Sequence, residues 1–343
     1  MSSSSEHSQS LIIPLGDPAG IGMEVTLKAL ASHDFSNELK PILVGCKKHL
    51  MMEYEQLKAQ GFSNLVNPKD LEIENIPIEI NSFEKGMPNK KTGEASFIWL
   101  KRAVHLTLKR KTKGIVTAPI AKFAWHASGH NYPGQTELLA ELSGVQNPSM
   151  LFTAVSPING WRLNTLLATT HISLSDVPKS LNSELIKLKL DRLKFFCNKF
   201  TYHPTIAIAG LNPHSGEKGQ LGSEEQEWLI PTLRDWESKN PDIKLKGPLP
   251  PDTCWLSAAA FWNGMSNVKP PDGILALYHD QGLIPIKIIA FDQAVNTTLG
   301  LPFFRTSPDH GTACDIAGKG LAKPESMLAA IKTLLDLNQN QIN

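Results

Sequence analysis

Short apolar runs alternate along the chain with longer segments whose apolar positions recur every third or fourth residue, the pattern of an α/β protein. The runs predict strands at Leu11–Leu15, Pro41–Gly45, Gly114–Thr117, Ser149–Ala154, Asn164–Thr169, Thr205–Ala209 and Gly273–Tyr278. The longer segments predict helices at Met23–Ala31, Glu94–Lys109, Thr136–Ser143, Ser183–Phe200, Ser223–Glu237, Thr253–Trp262 and Pro324–Leu337. Within Glu94–Lys109, Phe97, Leu100, Val104 and Leu108 are spaced by three and four, which assigns them to one helix face. Several of these helices open with Ser, Thr or Pro, the residues that suit a helix start. No internal repeat is visible. Pro and Gly are spread along the chain and mark no linker.

Composition narrows the class. A chain of 343 residues, 41% hydrophobic and 20% charged, can build real cores. At roughly 150 residues per domain it suggests two domains. Lys plus Arg total 34 against 33 Asp plus Glu, so nothing draws the molecule toward nucleic acid or an anionic membrane. The longest apolar stretches, such as Ile274–Tyr278, are strand-sized and fall far below the ~18 residues of a membrane span. Cys46, Cys197, Cys254 and Cys314 lie far apart and form no Cys-x-x-Cys pair, which suits a reducing compartment. Residues 1–10 have neither a basic nor an apolar region and read as a disordered tail on a cytoplasmic protein.

Candidate chemistry gathers at predicted strand ends. After the first strand comes Gly16-Asp17-Pro18-Ala19-Gly20-Ile21-Gly22, which is either a tight turn into a helix or a loop whose N–H groups approach an anion. Neither G-x-G-x-x-G nor G-x-x-x-x-G-K-[ST] occurs, so Rossmann and P-loop readings have no support. Of eleven histidines, His7, His33, His49, His105, His126, His130 and His203 read as solvated or structural. His171, His214 and His279 instead follow strands, where ligands collect in open α/β sheets. Three imidazoles meeting there would suit a divalent metal, with Asp176, Glu217 and Asp280 as nearby partners for the rings. The alternative is three unrelated histidines bonded to loop backbone. Further on, Lys287 and Arg305 flank this region, with Asn296 between them, and suit a phosphate or carboxylate.

Taken together these stretches resemble the 4-hydroxythreonine-4-phosphate dehydrogenase family of pyridoxal-phosphate biosynthesis. The matching segments are GDPAGIG from Gly16, TAPIAK from Thr117, GLNPHSGEKGQLG from Gly210, GPLPPDT from Gly247, YHDQGL from Tyr278 and VNTTLGLPFFRTSPDHGTA from Val295. The resemblance implies an isocitrate/isopropylmalate-dehydrogenase-like fold of two α/β/α lobes around a cleft. The first lobe is expected over residues 11–130 and 305–343, the second, with the dimer interface, over 131–304. It further implies a homodimer with the active site near the subunit interface, acting on a small phosphorylated substrate. NAD(P) and one divalent metal, zinc, magnesium or cobalt, are the implied cofactors. His171, His214 and His279 would hold the metal, one of them from the partner subunit. Gln135, Thr136, Lys287, Asn296 and Arg305 would contact substrate. The implied reaction is oxidation of 4-phosphohydroxy-L-threonine at C3 followed by decarboxylation to 3-amino-2-oxopropyl phosphate. Lys287, Asp280 and a water on the metal remain open as general base, and the cofactor-binding residues are not identified.

One position departs from the family pattern. Gly-His-Thr-Glu is usual there, and this chain has Gln135 before Thr136 and Glu137. Glutamine donates a hydrogen bond but neither carries charge nor shuttles a proton. The alternative substrates are therefore D-threonate or D-erythronate 4-phosphate. A phosphate acyltransferase of the same broad architecture is a more distant alternative, and it would need no histidine-bound metal.

Overall fold

All seven apolar runs form strands, with ends shifted by at most two residues. The computed structural model describes residues 10–32, 35, 40–79, 82–110, 112–265 and 267–339. His7, His33 and residues 1–9 of the expected tail lie outside the described residues, whereas Ser10 already belongs to the first strand. The chain divides into two units, residues 1–148 with 301–338, and residues 149–300 with 339–343.

The first unit contains β1 (Ser10–Pro14), α1 (Gly22–Ala31), β2 (Lys40–Gly45), α2 (Lys47–Ala59), β3 (Glu72–Asn75), α3 (Lys90–Arg110), β4 (Gly114–Val116), α4 (Lys122–Ala127) and α5 (Gln135–Leu142). The second contains β5 (Ser149–Val155), β6 (Arg162–Leu167), α6 (Val177–Ser180), α7 (Ser183–Cys197), β7 (Thr205–Ala209), α8 (Ile230–Ser238), β8 (Lys244–Leu249), α9 (Leu256–Trp262), β9 (Gly273–Ala276), α10 (His279–Ala290) and β10 (Val295–Leu299). The chain then returns to the first unit with β11 (Phe304–Pro308) and α11 (Glu325–Gln339). This is the expected α/β class.

In the first unit the strands run β3-β2-β1-β4-β11, all parallel. β1 and β4 are buried almost throughout, as strands covered on both faces must be. The periodicity of α3 holds only in part. Trp99, Leu100, Ala103 and Val104 are buried, but Leu108 is 43% exposed. Two successive steps of four rotate a side chain about 80° around the helix, which carries Leu108 past the edge of the packed face.

In the second unit the order is β10-β5-β6-β9-β7-β8; β5 is antiparallel to β10 and β6, and the rest are parallel. Its core joins Phe152, Leu163 and Leu167 to Trp255, Trp262, Leu283 and Ile286. α10 was not expected, because Gly282 and Pro285 both disfavour a helix interior. The glycine has a packing reason. A Cβ at Gly282 would lie 2.5 Å from Leu167 Cδ2 and 3.0 Å from Ala276 Cβ, so α10 sits directly on β6 and β9. Four expected helices also differ in detail: α3 begins four residues before Glu94, α7 stops at Cys197, the segment after Ser223 opens with a wide turn over Glu225–Leu229 before α8, and α9 begins at Leu256. The four cysteines are free. No helix among the described residues is long and apolar enough to cross a membrane.

Candidate active site

The glycine loop after β1 is a packed turn. Asp17 N–H donates to Pro119 O, Ala19 N–H to Asp17 Oδ1, Gly20 N–H to Asp17 O and Ile21 N–H to Thr312 O. Those four amides are thus engaged within the protein, which favours the tight-turn reading of the loop. The glycines serve close packing: Gly16 has φ +73°, and a Cβ there would lie 2.3 Å from Pro119 O. Burial pushes the Asp17 carboxyl from 3.8 up to about 6, against the opposing effects of the Ala19 amide, the Thr92 hydroxyl and the Lys85 charge.

Two of the three histidines come together where β6 and β9 end. The His171 and His279 ring centres are 5.5 Å apart, with planes inclined at 47°. His279 Nδ1–H donates to Asp280 Oδ1 at 2.7 Å, which fixes the ring and leaves Nε2 as the free donor atom toward a ligand. Asp176 lies five residues beyond His171 in the chain. It accepts from Ser173 Oγ and lies 4.0 Å from Lys179 Nζ.

His214 is exposed on a loop of unusual backbone. His214, Ser215, Gly216, Glu217 and Lys218 all have left-handed torsions, with φ of 51°, 51°, 78°, 42° and 57°. Each non-glycine residue in that region costs about 1–2 kcal/mol, so the segment must be held by its surroundings. The buried Glu225 supplies the hold: its Oε1 accepts from Leu211 N–H at 2.9 Å and Asn212 N–H at 2.8 Å, and its Oε2 from Asn212 Nδ2 at 2.9 Å. Among the described residues no three His, Cys, Asp or Glu side chains gather as a metal-ligating group.

The fit to a metal can be tested on the two rings. With metal–nitrogen bonds of about 2.0–2.1 Å and tetrahedral angles, two imidazoles on one ion keep their centres about 5 Å apart. The 5.5 Å between His171 and His279 matches that spacing. Neutral imidazoles also suit a borderline divalent ion.

The anion-binding candidates divide between the units. In the second, Lys287 projects from α10, exposed, with Nζ 6.0 Å from the Phe291 ring centre. Asn296 lies on β10 opposite Phe152, and its Oδ1 is buried without a hydrogen-bond partner. Such an orphaned acceptor calls for a donor from a ligand, for instance a hydroxyl or ammonium group. In the first unit Arg305 on β11 is only 4% exposed. Its Nε and one terminal nitrogen donate to Thr117 Oγ1 at 3.1 and 2.7 Å. Burial lowers the guanidinium to about 10, opposed by the charge of Glu137, so it stays cationic at neutral pH. Gln135 and Thr136 open α5, and Gln135 Nε2 donates to Ala118 O at 3.1 Å. Arg305 and Gln135 are therefore tied to consecutive residues after β4.

Sequence reasoning missed Gln281, Glu225 and the environment of Asp17. Gln281 sits two residues after His279, yet only the fold reveals what its amide touches.

The model of the family described as pyridoxal phosphate biosynthetic protein PdxA matches residues 37–334. The chain is 55% identical over 328 residues to a 4-hydroxythreonine-4-phosphate dehydrogenase of Synechococcus sp. (strain RCC307), covering 95% of this chain and 99% of that protein. It is 37% identical to a D-threonate 4-phosphate dehydrogenase of Salmonella typhimurium, covering 96% and 99%. Among solved structures, a 4-hydroxythreonine-4-phosphate dehydrogenase from Klebsiella pneumoniae superposes with a TM-score of 0.78 at 33% identity, covering 98% of this chain and all of that one.

Proposed function

Because the chain belongs to the PdxA family of pyridoxal phosphate biosynthetic proteins, we propose that it oxidises 4-phosphohydroxy-L-threonine at C3 with NAD(P)⁺. The resulting keto acid then loses CO₂ to give 3-amino-2-oxopropyl phosphate. The observation that carries this reading is the paired His171 and His279 at neighbouring strand ends, with the second ring held by Asp280. His171, His279 and His214 would hold the divalent ion, one of them contributed by a partner subunit. When bound, such an ion stabilises negative charge developing on the C3 oxygen and draws electrons from the departing carboxylate.

The remaining work falls to this chain's own side chains. Arg305 offers a permanently charged fork to phosphate or carboxylate and is pre-set by Thr117. Asn296 Oδ1 accepts from the substrate's hydroxyl or amino group, and Thr136 and Gln135 add polar contacts at the start of α5. Asp280 is engaged in orienting His279, which favours Lys287 over it as the base that takes the hydroxyl proton.

A homodimer is part of the proposal. Ile284 and Ile288 on α10, the helix that His279 begins, and Phe291 directly after it form an apolar row, 58%, 79% and 65% exposed. Ile172 and Leu174 beside His171 are exposed as well. A second copy of the chain covering this surface would bring its own histidine to the site. Cytoplasmic location accompanies this reading.

The second reading is D-threonate or D-erythronate 4-phosphate oxidation, favoured by Gln135 in place of histidine and by the Salmonella typhimurium relative. One experiment separates the two: NAD(P)H formation by the metal-loaded protein with 4-phosphohydroxy-L-threonine and with each sugar-acid phosphate. Turnover of only the sugar-acid phosphates would overturn the first reading and leave the hydride chemistry. Mixing subunits carrying single His→Ala changes, pair by pair, tests the shared site. Activity should return for a pair whose ligands come from different chains, and no recovery from any pair in proven mixed dimers would refute it.

A further inference from the structure

β7 and β9 are parallel neighbours, paired up to Ile208 and Leu275. Continued by two residues, that register sets Gly210 opposite Leu277, and there the ladder is completed by a side chain. Gln281 Oε1 accepts from Leu277 N–H at 2.6 Å, while its Nε2 donates to Gly210 O at 2.7 Å. The Gln281 amide, 8% exposed, thus stands in for a peptide group between two strands that part at this level. On the other side of β9, Leu277 O accepts from Thr169 N–H at 3.2 Å and from Thr169 Oγ1 at 2.8 Å. Three strand ends are locked together through Leu277, and the chain leaves β6 toward His171, β7 toward His214 and β9 toward His279.

We propose that Gln281 is a positioning residue for the metal centre: its amide fixes the loop that carries His214 to the strand ends that carry His171 and His279, so that each histidine is held in place for whichever of the dimer's two sites it serves. This rests on the reading of those histidines as ligands. The physical reason is the cost of the alternative. Without the amide, Leu277 N–H and Gly210 O would be buried polar groups lacking partners, and the strand ends would separate or admit water. Either response moves His214 relative to the rest of its own chain, and so within whichever site it serves, while leaving every imidazole chemically intact. Hydrogen-bonded groups behind metal ligands typically influence affinity about 10- to 100-fold.

The test uses the full-length chain, stripped of metal and titrated with Co²⁺, whose visible absorption reports ligand number and geometry. Gln281→Leu removes both bonds. Gln281→Glu keeps the acceptor for Leu277 but, when ionised, loses the donor to Gly210, and as an isostere it guards against misfolding. We expect Co²⁺ affinity about tenfold weaker or worse with an altered spectrum, Leu exceeding Glu, and faster amide exchange at residues 210–215. A variant that is merely less stable, with wild-type Co²⁺ affinity and spectrum in the folded protein, would overturn the proposal. His214→Ala and His279→Ala are measured alongside. If they lose Co²⁺ while both Gln281 variants bind as wild type, the ligand reading stands and the positioning role falls. Should they bind Co²⁺ as wild type does, the ligand reading fails first and takes the positioning role with it.

Discussion

Replacing Asp17 by Asn should stabilise the protein at neutral pH and do so in a pH-dependent way. The carboxyl is fully buried, and burial raises it from 3.8 to about 6 despite bonds from Ala19 N–H and Thr92 Oγ1. Below pH ~4 the group is protonated in both folded and unfolded chains and carries no penalty. Between pH ~4 and ~6 the unfolded chain ionises first, so the folded state loses stability at up to about 1.4 kcal/mol per pH unit. Above pH ~6 the loss levels off at about 3 kcal/mol. Asparagine keeps an acceptor for Ala19, its amide can donate to the Thr92 hydroxyl, and it does not titrate. The assay is denaturant unfolding of both proteins from pH 4 to 8, read as the difference between them. Any pH-independent cost of the changed hydrogen bonds shifts the whole difference curve without altering its shape. A difference that stays flat across that range would refute the reasoning, since Asp17 would then ionise as easily inside the fold as outside it.

Arg305→Lys keeps the charge but not the planar fork, so substrate binding should weaken about 10- to 150-fold, or about 1.5–3 kcal/mol; unaltered kinetic constants would remove Arg305 from the site. Gln135→His should change kcat/KM less than about tenfold while adding a pH dependence near ~6.5, because the side chain at this position needs only to donate a hydrogen bond, as Gln135 does to Ala118 O. No new pH dependence would mean that the position does not influence turnover. Ile288→Asp places a charge on the most exposed residue of the apolar row on α10 and should shift the protein toward monomer in light scattering. A dimer of unchanged affinity would move the interface elsewhere.

Strands buried on both faces announce themselves as apolar runs, and for that reason β1, β4, β7 and β9 were legible. The strands that escaped notice fail that test in two ways. β3 and β8 are half-exposed edges rich in Glu and Lys, whereas β10 and β11 are buried yet built from Thr, Ser and Asn. Thr297, Thr298 and Thr306 are almost fully buried, showing that small hydroxyl side chains can fill a sheet interior that pattern reading assigns to aliphatic ones. The divisions after Pro148 and Gly300 were invisible for a different reason. Each is a direct passage from one element or turn to the next, and no polar linker marks it.

The candidate site was legible where chemistry and position coincide. His171, His214 and His279 are recognisable because reactive side chains after apolar runs fall at strand ends, where the sheet leaves backbone groups for ligands. What the sequence does not encode locally is how those ends are kept in register. Glu225 lies eleven residues beyond His214 in the chain and grips its loop through Leu211 and Asn212. Gln281 reaches seventy-one residues back to Gly210. Both act through backbone groups, and a backbone group is the same in every sequence, so no residue type on the receiving side betrays the contact. Candidate ligand residues are therefore found by composition, but their supports only by topology. A chain that kept every histidine and lost Gln281 or Glu225 would look unchanged to motif reading while the placement of its histidines drifted.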